Sequence, residues 1–254
     1  MQNLLSEKQN QKFFLEDLIH DIEWLDFVAF ACSTWLFIYP YPYKLLFCIL
    51  LFIPFLGLIL NRMAGNSGFD SLIKKVKDKN GNDTYMVAYY INIVSWTVGI
   101  KVFIDFEFEN IYSIFIHGSV AFIMIAFILF ITHHRITGPL KTQLSMYGLL
   151  LLNILLYSYG GTYGINCLFD DSKPYVFQTH IIEKHINHHR KSADTYTVTV
   201  SPWGHHFDNE SISVSSEQYN RLIEGQAVSM DVKSGLFDIP WYYIDDAEQQ
   251  TEDW

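Results

Sequence analysis

Cysteine is scarce in this chain of 254 residues: only Cys32, Cys48 and Cys167 occur. The first two sit in apolar stretches, where the thiol behaves as a small hydrophobe. An odd, scattered set excludes a disulfide framework. Cys167, alone near polar sequence, reads as a packed residue rather than a reactive thiol. Positive charge is also short, with 17 Lys and Arg against 27 Asp and Glu and a net charge of -10. No basic stripe is available to neutralise phosphates, which excludes nucleic acid as a partner. No G-x-S-x-G, P-loop or H-E-x-x-H occurs, so the common nucleophilic, phosphate-binding and zinc-hydrolase sites have no foothold. Residues 1–23 lack the basic start and short apolar core of a cleavable signal peptide, leaving insertion to the first hydrophobic helix. Inverted repeats and paired broken helices, the marks of many transporters, are missing as well.

Long apolar runs are what the chain does have. Half of its residues are hydrophobic, unevenly spread. Residues 26–167 are dominated by Leu, Ile, Phe and Tyr, whereas 170–254 are polar, acidic and rich in Ser, Thr, Val and His. The pattern predicts an α-helical membrane bundle of about five transmembrane helices followed by a small mainly-β domain. Residues 1–24 read as an amphipathic, cytoplasmic lead-in helix whose acidic face would not attract anionic lipid. The bundle covers 25–165, with spans at about 24–39, 43–60, 85–103, 111–131 and 142–159. The first is short against the roughly 20 residues a bilayer core requires. The second holds Pro54, tolerable as a kink. The third is interrupted by Asn92, Ser95, Thr97 and Lys101, and the fifth closes at Gly160-Gly161, read as a flexible exit from the bilayer. A short surface helix is expected over 69–76.

The basic residues orient this bundle. Loop 61–84 carries Arg62, Lys74, Lys75, Lys77 and Lys79, and link 132–141 adds Arg135 and Lys141. On the opposite face link 40–44 carries Lys44 alone, and link 104–110 is acidic. Seven against one is a positive-inside signal. It predicts a cytoplasmic amino terminus and an extracytoplasmic carboxy-terminal domain.

That domain, 170–244, reads as β. The runs 175–182, 195–200, 211–214, 227–232 and 239–244 are rich in β-branched and aromatic residues. Residues 215–223 read as a helical turn capped by Ser216 and ended by Gly225. Residues 245–254 form an acidic tail expected to be disordered.

The most specific pattern begins at Asn166-Cys167-Leu168-Phe169-Asp170 and continues through Tyr196, Ser201-Pro202-Trp203, Ile212-Ser213-Val214, Tyr219, Leu222, Gly225 and Val228. It ends at Gly235 and Ile239-Pro240-Trp241-Tyr242. Over 88–244 the chain resembles a group of bacterial inner-membrane proteins. These have four or five spans and a small exported domain ending in G-x-x-x-I-P-W-Y. The resemblance implies architecture and a bacterial inner-membrane location, and it supplies no catalytic residue. The histidine-rich stretch around His185 lies outside it.

Three functional readings follow. The favoured one is a non-enzymatic protein presenting its exported β domain to a protein or envelope partner, with immunity-like protection or an accessory role as forms of it. Trp203, Trp241 and Tyr242 are its contact candidates, since aromatics make favoured anchors; their other reading is the domain's own core. The second is a transporter or transport accessory. Lys101 and Asp105 are spaced i, i+4 and His117 enters near the same edge, so the three could form a polar membrane site; the plainer reading is a snorkelling lysine beside an interfacial aspartate. The third is a metal-dependent membrane enzyme with a divalent metal on His180, His185, His188 and His189. Their H-x4-H and H-x2-H-H spacings mimic two boxes of membrane desaturases, but the boxes overlap and no third exists. The plainer reading is a solvated loop.

Overall fold

The computed structural model describes residues 23–63, 72–77, 83–132, 140–188 and 194–245. The expected lead-in helix, His133, His134, Arg135, His189 and the tail beyond Asp245 lie outside the described residues. The chain divides into two compact units, Met1–Val102 with Phe115–Gly164, and Phe103–Ile114 with Ile165–Trp254.

The first unit is helical: α1 (Glu23–Ile38), α2 (Tyr43–Met63), α3 (Tyr89–Asp105), α4 (Ile111–Thr132) and α5 (Leu140–Leu168). Three of these, rather than five, are long and apolar enough to cross a membrane: α2 over Tyr43–Leu60, α4 over Tyr112–Ile131 and α5 over Leu140–Leu168. The chain is therefore an α-helical membrane protein. α1 has 16 residues and α3 has 17, about 25 Å of helix against a core of about 30 Å. α3 is the interior element of the unit, burying Tyr90, Val94, Ser95, Thr97, Val98, Gly99, Lys101 and Val102. Its polar residues are thus taken up by helix packing rather than lipid, which is why the segment is poor in apolar residues. Asp26 of α1 accepts a hydrogen bond from the Tyr90 backbone N–H at 2.8 Å, placing a carboxylate at the positive end of α3.

Small residues let these helices approach. A Cβ on Gly160 would stand 2.7 Å from the Gly99 Cα and from the Val98 carbonyl oxygen, and one on Gly164 would collide with the Phe47 ring. The Tyr157 hydroxyl donates to the Leu51 carbonyl. The expected flexible exit at Gly160-Gly161 is corrected accordingly. α5 runs unbroken to Leu168, and Gly160 serves a close crossing with α3. A second correction concerns 73–76. This stretch forms no surface helix but the strand β1 (Ile73–Lys77), paired antiparallel with β2 (Asp83–Val87). Ile73 and Val76 are β-branched and favour a strand.

Among the described residues the second unit holds six strands: β3 (Glu107–Phe108), β4 (Tyr175–Asn187), β5 (Thr195–Val200), β6 (Glu210–Val214), β7 (Ala227–Lys233) and β8 (Trp241–Asp245). Their order is β3-β8-β7-β4-β5-β6, antiparallel throughout. β4 is the shared element. Tyr175 to His180 pair with β7, Ile181 to Asn187 pair with β5, and an irregularity between Ile181 and Glu183 bends the strand. The sheet curls so far that Glu107, on one edge strand, takes a hydrogen bond from the Ser213 backbone on the other. The result is nearly a barrel. Ile181, Val198, Val200, Trp203, Ile212, Met230, Tyr242 and Ile244 fill its interior. A short helix α6 (Ser216–Arg221) follows β6; its cap is Ser215, whose Oγ accepts from the Gln218 N–H at 3.1 Å.

Candidate functional site

The residues around Gly235 and Trp241 form a latch. Asn166, fully buried in the last turn of α5, donates from Nδ2 to the Ile239 carbonyl at 2.8 Å. Its Oδ1 accepts from the Phe237 N–H at 2.9 Å, and its own carbonyl accepts from Leu236. One turn on, Asp170 Oδ2 accepts from the Gly235 N–H and from Trp241 Nε1, both at 2.9 Å, while Oδ1 accepts from Ser172 N–H at 2.8 Å. Lys233 Nζ reaches the Asp170 carbonyl at 2.7 Å. Burial alone would push the Asp170 carboxyl up, but donors from Ser172, Trp241 and Gly235 outweigh it and hold the group below the usual carboxylate range. The two ends of the sequence pattern, Asn166 to Asp170 and Gly235 to Trp241, are thus two halves of one hydrogen-bonded turn. Their roles here are structural.

A second cluster closes the barrel. Glu210 on β6 accepts from the Tyr242 hydroxyl at 2.5 Å and from Trp203 Nε1 at 3.1 Å. His206 Nδ1 lies 3.2 Å from the same carboxylate, and its ring stacks on Trp203 at 4.2 Å. Burial pushes the Tyr242 hydroxyl upward, with the neighbouring Glu210 adding to it. Burial likewise raises the Glu107 carboxyl, opposed by the Ser213 backbone and reinforced by Glu210. Asp231 is raised by burial and by Asp245, against hydrogen bonds from Ser229 and Tyr243. Tyr243 is pushed up to about 12 by burial first and then by Asp231 and Asp245.

These shifts set a pH profile for the second unit. The lowered Asp170 contributes stability that is complete above the ordinary carboxyl value of 3.8 and is lost as pH falls through its lower folded value. Glu107 and Asp231 act oppositely: as buried anions they cost stability at neutral pH, and that cost lifts as pH falls through their raised values. The melting temperature of this unit should hold or rise on acidification from pH 7 to about 5, then drop below 3.8. Near-ultraviolet circular dichroism of the full chain in detergent reads this directly. A steady fall beginning at pH 7 contradicts it.

The candidates named from sequence fall as follows. Trp203 and Tyr242 are core residues, 4% and 5% exposed, so they are corrected from contact surface to interior. Alternation along β8 turns Tyr242 inward, and Trp203, on the bridged turn after β5, packs into the same interior. Trp241 is half-buried, its indole held by Asp170. His180 and His185 lie within β4 rather than on a loop, since β4 continues to Asn187; His185 pairs with Thr197. His188 follows the strand and sits 3.0 Å from Asp194. Among the described residues no three His, Cys, Asp or Glu side chains gather to hold a metal ion. Lys101 is buried in α3 with its Nζ 5.9 Å from the centre of the Phe37 ring. His117 is exposed on α4, and Asp105, the last residue of α3, belongs to the second unit.

Two features were missed. β3 was read only as an acidic link, although Ile104-Asp105-Phe106-Glu107-Phe108 alternates apolar and acidic as a half-buried strand does. Phe207, 87% exposed, is displayed beside a tight turn in which Trp203 and His206 exchange backbone hydrogen bonds. Gly204 holds that turn with φ +53°. No sequence signal separates an exposed Phe from a buried one in so short a loop.

Comparison with protein-family models, with curated proteins and with solved structures gave no match.

Proposed function

We propose that the chain is a five-span protein of a bacterial inner membrane that holds a small β domain outside the cytoplasm for contact with a protein partner of the envelope. The observation that carries this is the filled barrel. Its interior is occupied by its own side chains, its acid and indole groups are spent on holding the fold, and its most exposed large apolar residue, Phe207, projects from a braced turn. Such a domain presents a surface rather than enclosing a substrate. Charge supports the five-span count. If only α2, α4 and α5 crossed, the basic loop 61–84 and the link bearing Arg135 and Lys141 would lie on opposite faces. With α3 crossing too they share one face, as the positive-inside rule requires, and α1 crossing puts Lys8 and Lys12 on that face as well. α1 would do so by local thinning of the bilayer, and α3 as the interior helix.

In-cell photo-crosslinking tests the reading. With p-benzoylphenylalanine in place of Phe207, a discrete protein adduct is expected, absent when the photoreactive residue replaces Ile223, which is exposed elsewhere on the domain. Absence of any adduct at position 207 overturns the proposal. A transport role has one observation of its own, Lys101 buried within the bundle. An intramembrane lysine is costly and marks function when it is retained. Lys101→Met abolishing function while leaving the 207 adduct intact would favour transport.

A further inference from the structure

The base of the β domain carries apolar side chains that its own core does not use. Leu236 is 50% exposed, Phe237 36%, Phe169 39% and Ile104 59%. They are not scattered. Leu236 and Phe237 are fixed to Asn166 through their backbone N–H groups. Phe169 directly follows α5, and Asp170 ties that point to Trp241. Trp241 packs edge-on against Phe106 at 5.5 Å, and β8 pairs with β3 there. Ile104 lies two residues before Phe106, in the last turn of α3. Every member is therefore joined through contacts within the second unit to the end of α3 or α5, where the chain leaves its apolar helices.

We infer that this rim, with the Leu236-Phe237 turn at its tip, is a lipid-contacting anchor that seats the β domain in the interfacial layer of the bilayer. Continuity with α5, apolar enough to span, commits the occupant to lipid. The composition of the rim agrees: Trp241 is half-buried with the Lys233 ammonium 5.6 Å over its ring, an aromatic and basic pairing of the kind enriched at the membrane interface. The latch then has a purpose beyond the fold, since Asn166 and Asp170 hold the apolar turn rigidly beside the helix end. The inference rests on α5 crossing the bilayer.

The test uses the full chain in phosphatidylcholine–phosphatidylglycerol vesicles, with p-benzoylphenylalanine placed singly at Leu236, Phe237, Phe169, Leu152 and Phe207. After irradiation, intact mass should rise by one lipid at 236, 237 and 169, as it does at Leu152 on the exposed face of α5, and not at 207. Position 169 stands in should the analogue at 236 loosen the latch. Lipid adducts at 152 with none at 236, 237 or 169 overturn the anchor alone, as does an adduct to a second copy of the chain. No adduct at 152 overturns the spanning reading on which it rests.

Discussion

Gly235→Ala should lower the melting temperature of the β domain by roughly 15 °C or more, on the basis that about 1 kcal/mol moves a domain of this size by 4–8 °C. Gly235 has φ +78°, a region that costs other residues of order 1–3 kcal/mol. A Cβ there would also fall well inside contact distance of the Asn166 side-chain amide and the Ile239 carbonyl oxygen. Both are already committed to each other by the Nδ2 hydrogen bond, so neither can retreat without breaking the latch. Overpacking of this kind adds about 1–3 kcal/mol. Gly225 is the control. It has φ +80° but open space around its Cα, so Gly225→Ala carries the backbone strain without the collision and should cost visibly less. Equal losses at 225 and 235 would mean that the latch geometry adds nothing.

Trp203→Ala is the second large effect, about 3–5 kcal/mol for removing a buried aromatic ring. Trp203 packs against Tyr242 at 5.1 Å, Phe177 at 5.9 Å and the stacked His206, so its loss leaves a void that three rings border. It also strips Glu210 of its indole donor. Trp203→Phe separates the two contributions: it keeps a ring in the core and removes only the N–H, at about 1.5–3 kcal/mol for one hydrogen bond to a charged group, since His206 still faces the same oxygen. Thermal melts of the two variants in detergent should therefore differ clearly. If they lose stability equally, the hydrogen bond rather than packing dominates this site.

Much of the architecture is legible from residue order alone, because two periodicities differ so sharply. Unbroken apolar runs gave the helices, and alternation at Tyr196, Val198 and Val200 gave a strand. The departures share a cause: local sequence cannot report what lies across the interface. Gly160 reads as flexible until α3 is seen to press on it. The polar interruptions of α3 have no visible purpose until its burial among the other helices is seen. Glu107 and Phe108 look like a loop until β8 pairs with them. The motif ending in Ile239-Pro240-Trp241-Tyr242 is visible as a pattern, but its meaning as a latch depends on Asn166, 73 residues away. The aromatic contact candidates went inward because residue type alone does not choose between core and surface; the same ambiguity hid Phe207.

The central claim is the topology, and impermeant thiol labelling of intact cells tests it most directly. Single cysteines at Tyr41, Met63, Asn110 and Ile223 sample the two links before and after α2, the link between α3 and α4, and the β domain. Five spans predict labelling at 41, 110 and 223 with Met63 protected until the membrane is permeabilised. Met63 and Asn110 labelling alike would mean that α3 does not cross, and would contradict the account.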